Sequence, residues 1–247
     1  MIFVSFLFGL VFGSFANVLI YRIPKGISIY SPTFSFCPNC KLKIKWYDNI
    51  PVISYILLSG RCRVCKKNIS ILYPIVEIIC GILAVFSYLK FGFPQGIIFF
   101  NLFFILTVVS FIDWQTTEVA DSLSYYLIIT GVVFSVFNHQ LGDEIFVRVA
   151  NSLLGGIIGF CFFYAIEFFG SKIYKKTVLG GADIKISSGI GTYFSYSCLI
   201  KILFFSSLSA LIYVLVSSFV KKEKILGKYI PFVPFIFLGS FIYVLML

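Results

Sequence analysis

Two Cys-x-x-Cys pairs are the residues whose spacing most directly suggests chemistry. They are Cys37/Cys40 and Cys62/Cys65, with 21 residues between them. Each pair can present two sulfurs on a tight turn, and four thiolates satisfy a tetrahedral zinc ion without leaving an open position. We therefore predict a structural zinc site. A disulfide or redox pair, or cysteines without a metal, are the alternatives, and disulfides are rare in a reducing cytoplasm.

Two aspartates form the second candidate site. Asp113 directly follows an apolar run, and Asp183 follows Gly180, Gly181 and Ala182 just before another. Placing an ionised carboxylate beside hydrocarbon costs at least a few kcal/mol of desolvation free energy, so such a residue is a candidate for a functional role. If two such carboxyl groups meet, they share a proton: the charged one can activate water, and the protonated one can polarise a peptide carbonyl. The pair therefore predicts an aspartyl protease, and the two glycines would let a substrate backbone come close.

Two further acids, Glu118 and Asp121, follow Asp113 closely. Acids are common in interfacial loops, and Asp121 also suits the N-cap of a following helix. We therefore expect both to be surface residues outside the catalytic pair.

The composition indicates a membrane protein. Hydrophobic residues make up 60% of the 247 residues, aromatic residues 19% and charged residues only 12%, which is far from the average soluble domain. The net charge of +10 could suggest nucleic acid, but the basic residues cluster between apolar runs, as a topology signal does. We therefore expect a lipid bilayer and no nucleic acid as a partner.

Eight apolar runs could cross that bilayer, for which about 17 to 25 residues are needed. The run at 186–199 is short and contains Gly189 and Gly191, which permit either close packing or a kink. The runs are 2–21, 71–89, 95–112, 122–138, 147–169, 186–199, 201–220 and 230–246.

The basic residues favour eight spans over seven. With eight spans and the N-terminus outside, only Lys90, Arg148 and Lys201 of the 20 Lys and Arg fall on the outer side, as the positive-inside rule demands. Seven spans would move the lysine-rich loop 221–228 outside. With eight, segments 22–70, 113–121 and 170–185 are cytoplasmic, so Asp113 and Asp183 share a side.

Several motifs in order resemble the type IV prepilin peptidases, membrane enzymes that cut the leader from prepilins and N-methylate the new terminus. The similarity covers nearly the whole chain. The matching stretches are Gly13-Ser14-Phe15-Ala16-Asn17-Val18-Leu19-Ile20-Tyr21-Arg22-Ile23-Pro24, Cys37-Pro38-Asn39-Cys40, Trp46-Tyr47-Asp48-Asn49-Ile50-Pro51, Gly60-Arg61-Cys62-Arg63-Val64-Cys65 and Tyr73-Pro74-Ile75-Val76-Glu77.

This resemblance implies roles for both candidate sites. Asp113, which begins a D-x7-D pattern ending at Asp121, and Asp183, in the position of the GxGD aspartate, would be the catalytic pair. The cysteine loop (residues 22–70) would serve methylation, with S-adenosylmethionine as donor. Ala120 replaces the family's usual proline and Ala182 its usual second glycine; because both are small, we expect altered backbone stiffness and not lost chemistry.

The sequence thus predicts an all-α, polytopic inner-membrane protein with about eight spans and a cytoplasmic zinc-binding loop. Residues 1–90 would form the methylation part and 91–247 the protease, which would act on a prepilin or pseudopilin at the cytoplasmic face. One alternative is another kind of intramembrane aspartyl protease, without methyltransferase activity, but this would leave the double Cys-x-x-Cys loop unexplained. A second alternative is a proton- or cation-coupled transporter, which would need acids near the middle of a span. The acids inside apolar runs are Glu77 and Glu167, and both lie within a few turns of the edge of their run.

Overall fold

A computed structural model describes residues 1–221 and 230–247, with the backbone alone at Lys221. The regular structure of the described part consists of helices, which loops connect, and of two isolated β-bridges. This confirms the predicted all-α class. The α-helices are α1 (Ile2–Arg22), α2 (Ile53–Leu57), α3 (Leu72–Phe91), α4 (Gln95–Thr116), α5 (Asp121–Ser135), α6 (Ile145–Tyr174), α7 (Gly181–Phe194), α8 (Tyr196–Lys221) and α9 (Val233–Met246).

Five of the described helical segments are long and apolar enough to cross a membrane: Ile2–Lys25, Leu72–Phe91, Gln95–Thr116, Ile145–Tyr174 and Tyr196–Val220. Helices α5 and α9 are apolar but shorter, and α7 has 14 residues. Each of the eight predicted apolar runs overlaps a helix of its own, and the run 186–199 also reaches the first residues of α8. The chain is therefore a helical membrane protein. Lys222, Lys224 and Lys228, which the topology prediction used, lie outside the described residues.

The chain divides into two compact units, residues 1–108 and 109–247. In the first unit, α1 packs against α3 with their backbones very close. A Cβ at Gly13 would lie 2.5 Å from the Cα of Glu77, and the amide of Asn17 donates to the carbonyl of Tyr73 at 3.0 Å. Small residues allow such an approach between membrane helices, which explains why the Gly-Ser-Phe-x-Asn motif lies on this face.

In the second unit, α7 packs against α5, α6 and α8. Gly155 on α6 and Gly191 on α7 meet backbone to backbone, with no space for a Cβ on either. The hydroxyl of Ser188 on α7 donates across this contact to the carbonyl of Gly156 at 2.8 Å. Because α7 is one unbroken helix, its glycines serve close packing and not a kink. This packing fixes the helix that begins at the Gly-Gly-Ala-Asp segment.

Candidate active site and cysteine cluster

Asp113 lies in the last turn of α4, and only 6% of its surface is exposed. Its Oδ2 accepts a hydrogen bond from the backbone N–H of Val233 at 3.1 Å. Val233 is the first residue of α9, and the free N–H groups of a helix start carry partial positive charge. The start of α9 therefore orients this carboxylate and stabilises its charged form.

Asp183 is the third residue of α7 and lies outside the five candidate spans. Its Oδ2 accepts the backbone N–H of Gly180 at 3.1 Å, as an acid in the first turn of a helix commonly does. Its exposed fraction is 9%. Burial, together with the nearby charge of Asp113, raises the pKa of Asp183 to about 7. The structure thus brings the two predicted aspartates close enough to influence each other's ionisation.

Two such carboxyl groups hold one proton between them near neutral pH, since a like charge disfavours the second ionisation. One oxygen can then take a proton from water while a neighbouring hydroxyl donates to a carbonyl. A pair in this state could supply a general acid and a general base.

The small residues before Asp183 have distinct surroundings. A Cβ at Gly181 would meet no atom within 4 Å, so the start of α7 is open at this residue. Ala182 lies within α7 and is not among the described residues with positive φ. The alanine that replaces the family's usual glycine therefore requires no unusual backbone conformation, and it is a better helix former than glycine.

Glu167 on α6 holds the segment that leads into Asp183. Its Oε2 accepts the backbone N–H groups of Val178 at 3.0 Å and Leu179 at 2.5 Å. Because these residues directly precede Gly180, the carboxylate ties the approach to α7 against α6. In the sequence, Glu167 stands out only as an acid within an apolar run. That position was the one sequence feature that pointed to this contact.

Asp121 differs from its predicted role as an N-cap. Ala120 is the N-cap of α5 and Asp121 its first helical residue; the N-cap prediction was therefore wrong by one position. The Asp121 carboxylate instead forms an ion pair with Lys185 on α7 at 2.6 Å, so it ties α5 to the helix that carries Asp183. Glu118 is exposed, as expected.

The four predicted cysteines come together in the first unit. Their sulfurs all lie within 4.8 Å of one another, and the Sγ atoms of Cys37 and Cys65 are 3.8 Å apart. A tetrahedron of sulfurs about 2.3 Å from zinc has edges of about 3.8 Å, whereas an S–S bond measures about 2.05 Å. The donor set and its spacing therefore fit a tetrathiolate metal site.

The two cysteine turns have the same local geometry. The N–H of Cys37 donates to the carbonyl of Leu42 at 3.0 Å, and that of Cys62 donates to Lys67 at 2.9 Å. An isolated β-bridge flanks each turn, Phe36 with Lys43 and Arg61 with Asn68. This repetition explains how two short sequences present their sulfurs to a common centre.

One ion pair and one backbone hydrogen bond hold further parts of the cysteine loop. Arg63 donates from Nε and Nη2 to the carboxylate of Asp48, at 2.8 and 2.6 Å, and it holds the pKa of Asp48 below its usual value. The backbone N–H of Val52 donates to Glu77 Oε2 at 2.8 Å. The loop is thereby connected both to the second cysteine turn and to α3.

Arg22, at the end of α1, organises the first part of this loop. Its guanidinium donates to the carbonyls of Ser28, Ile29, Pro32 and Phe34 at 2.9 to 3.2 Å. The side chain is 4% exposed, and these carbonyls satisfy its buried donors. The arginine of the Arg-x-Pro motif is therefore structural.

Comparisons with known proteins agree with this arrangement. A model of the bacterial peptidase A24 N-terminal domain matches residues 7–91, and a model of the type IV leader peptidase family matches residues 100–215. A Vibrio cholerae protein named prepilin leader peptidase/N-methyltransferase is 34% identical over 212 residues, which are 83% of this chain and 81% of the relative.

The chain belongs to the type IV leader peptidase family. Relatives of the same name from Klebsiella pneumoniae (34% identical, covering 83% of this chain and 91% of the relative) and Neisseria gonorrhoeae (30%, covering 92% and 84%) support this assignment. No solved structure matches. The membership confirms the predicted family and enzyme class: the chain is a leader peptidase.

Proposed function

We propose that this leader peptidase removes the leader of type IV prepilins or pseudopilins and N-methylates the new terminus, the two activities in the names of its relatives. One structural observation supports the cleavage: Asp113 and Asp183 are both buried in the second unit, where burial and the charge of Asp113 raise the pKa of Asp183.

The proposed cleavage depends on one proton that the two carboxyl groups share. The ionised carboxylate of the pair takes a proton from a water molecule, whose oxygen attacks the scissile carbonyl. The protonated carboxyl donates a hydrogen bond to the carbonyl oxygen as negative charge develops there, and a proton then passes to the leaving amine. The Val233 N–H holds Asp113, and the Gly180 N–H holds Asp183. The open space at Gly181 would let a substrate backbone approach the start of α7.

We assign residues 1–90 to methylation and residues 91–247 to cleavage. S-adenosylmethionine would supply the methyl group. Cys37, Cys40, Cys62 and Cys65 would hold one zinc ion, and the spacing of their sulfurs supports this. Four protein ligands leave no position for substrate, so this metal would stabilise the loop and take no part in catalysis.

We also propose eight spans in an inner membrane, with the N-terminus outside and the aspartates at the cytoplasmic face. The overlap of eight apolar runs with eight helices supports the count. The short helix α7 is about 21 Å long at 1.5 Å per residue, less than the hydrocarbon core of about 30 Å, and would cross it among other helices. The basic cysteine loop would then face the anionic lipid of the cytoplasmic leaflet.

Mass spectrometry of one reaction tests both activities. The purified protein is incubated with a prepilin, with and without S-adenosylmethionine. We expect a shortened product in both reactions, and a further mass increase of one methyl substitution only with the donor. An uncut prepilin would contradict the cleavage, and a cut product that is never methylated would contradict the transferase.

A further inference from the structure

The short helix α2 of the cysteine loop exposes three aliphatic side chains. Ile53, Ile56 and Leu57 are 54%, 68% and 77% exposed. Residues three and four apart lie on the same side of a helix, so the three side chains form one surface, which we call the apolar face. Tyr55 and the following Leu58 instead line a cavity between α1, the cysteine loop and the start of α3. Helix α2 is therefore apolar on both sides, and its apolar face points away from this cavity.

A tryptophan lies beside α2. The 3₁₀ turn Trp46–Asn49 packs against this helix, and Trp46 is 79% exposed. The centre of its ring is 5.6 Å from that of Tyr47. Tryptophan and tyrosine are enriched where a membrane meets water, because their rings combine a large apolar surface with one polar group. The residues next to α2 therefore suit a membrane surface as well.

A hydrogen bond places α2 beside a membrane span. Val52 directly precedes α2, and its backbone N–H donates to Glu77 Oε2 at 2.8 Å. Helix α3 is long and apolar enough to cross a membrane and begins at Leu72. Glu77 lies only about 7.5 Å further along its axis, and helical side chains lean towards the N-terminus. Helix α2 therefore begins level with the first turns of α3, where the edge of the bilayer lies.

The charge of the cysteine loop favours one kind of lipid. Residues 22–70 contain nine basic residues and one acid, Asp48, which is already in an ion pair. Lys45 adjoins Trp46, and its ammonium group lies 5.5 Å from the centre of the Tyr47 ring. Basic groups beside apolar side chains favour a surface of anionic phospholipid over one of neutral lipid.

We propose that α2 lies in the headgroup region of the membrane that the chain spans, with its apolar face towards the acyl chains and Lys45 at anionic phosphate groups. The inference rests on α3 as a span, and it extends the proposed position of the cysteine loop. Helix α2 is about 7.5 Å long, too short to cross the hydrocarbon core of about 30 Å. It therefore lies on the bilayer and does not span it. The cysteine loop is thereby held to the membrane by α1, by α3 and, between them, by α2.

Tryptophan fluorescence of the full chain in lipid nanodiscs tests this contact. The chain has two tryptophans, Trp46 and Trp114, so Trp114→Phe leaves Trp46 as the reporter. The discs contain phosphatidylcholine and about one third phosphatidylglycerol, brominated either near the headgroups or near the chain ends. We expect bromine near the headgroups to lower the fluorescence at least about twofold and bromine near the chain ends to lower it less, because interfacial helices lie about 5 to 10 Å deep.

Matched substitutions on α2 test the apolar face itself. Ile56→Ser with Leu57→Ser makes it polar and should remove most of the quenching of Trp46. Ile56→Leu with Leu57→Ile keeps it apolar and should retain the quenching. Leu57→Trp, in a chain with both natural tryptophans replaced by phenylalanine, reports from α2 directly. This variant should show the same preference for bromine near the headgroups, and it decides the outcome if the serine variant does not fold.

Trp46 fluorescence that brominated lipid leaves unchanged would overturn the inference, as would full quenching in the serine variant. Equal quenching in discs without phosphatidylglycerol would overturn the preference for anionic lipid. Protection of Trp46 from aqueous acrylamide that appears only with added prepilin would assign the apolar face to the substrate, and protection only in discs with two chains would assign it to a second copy. The measurement needs no substrate, so its failure would leave both proposed activities standing, and inactive protein would refute those activities without changing it.

Discussion

The carboxylate of Asp113 accepts a hydrogen bond from the backbone N–H of Val233 at 3.1 Å. This bond joins the end of α4 to the start of α9, so the orientation of Asp113 depends on a helix far away in sequence. It leaves the second carboxylate oxygen for water or for a shared proton.

Replacing either aspartate by asparagine should therefore abolish cleavage while preserving the site. An asparagine oxygen can still accept from Val233 or from Gly180, so Asp113→Asn and Asp183→Asn remove acid–base chemistry and little else. We expect kcat for a prepilin peptide to fall at least about a hundredfold in each variant. Methylation of an already trimmed pilin, measured in parallel, should persist. Normal cleavage by either variant would refute the pair.

The rate of cleavage should fall as the pH rises through about 7. The pKa of Asp183 is raised to about 7 by burial and by the charge of Asp113, so below this pH the pair keeps its shared proton. Above it both carboxylates are charged, and no hydroxyl remains to polarise the carbonyl. A pH profile of kcat with a soluble peptide substrate would show this descending limb. Continued full activity well into the alkaline range would contradict it.

Asp121 should matter less than the catalytic pair. Its ion pair with Lys185 joins α5 to α7, but the Asp121 side chain is 59% exposed, and exposed pairs contribute about 0 to 1 kcal/mol. We expect Asp121→Asn to reduce kcat less than about tenfold. Lys185→Met should have a similar effect, and the double variant no more than either alone. A loss equal to that of Asp113→Asn would place Asp121 among the catalytic residues.

Local sequence patterns predicted the helices and both clusters, but not the contacts that position them. Hydropathy and length placed eight helices, and the two Cys-x-x-Cys spacings predicted that four sulfurs would meet. The five-residue α2 has too few residues for a periodic pattern. The pairing of Asp121 with Lys185 links residues 64 apart in sequence and that of Asp113 with Val233 residues 120 apart, and only tertiary packing determines such contacts.

The contact of Glu167 with residues 178 and 179 also depends on tertiary packing, and it leads to a testable prediction. The carboxylate binds the N–H groups of Val178 and Leu179, so Glu167→Ala would release the segment before Gly180. We expect a loss of kcat of about tenfold to a hundredfold, because small displacements of a catalytic group are costly. Glu167→Gln keeps one acceptor and should lie between wild type and alanine.

Glu144, at the opposite end of α6 and exposed, provides the control for that series. Glu144→Ala should cleave prepilin at the wild-type rate. If Glu167→Ala also cleaves normally, the 178–179 segment does not need this anchor. If KM alone changes, Glu167 affects substrate binding and not the placement of Asp183.

The cysteine cluster should hold about one zinc ion per chain, and its removal should separate the two activities. The loop around it is short and open, so the metal supplies much of its folding free energy. Chelation, or Cys62→Ser, should therefore lower the melting temperature and abolish methylation while prepilin cleavage continues. Cys161→Ser changes an exposed cysteine outside the cluster and should leave zinc content unchanged. Metal-free protein that melts and methylates like the wild type would contradict a structural zinc. It would show that the loop keeps its fold without a metal, although its four sulfurs lie within 4.8 Å of one another.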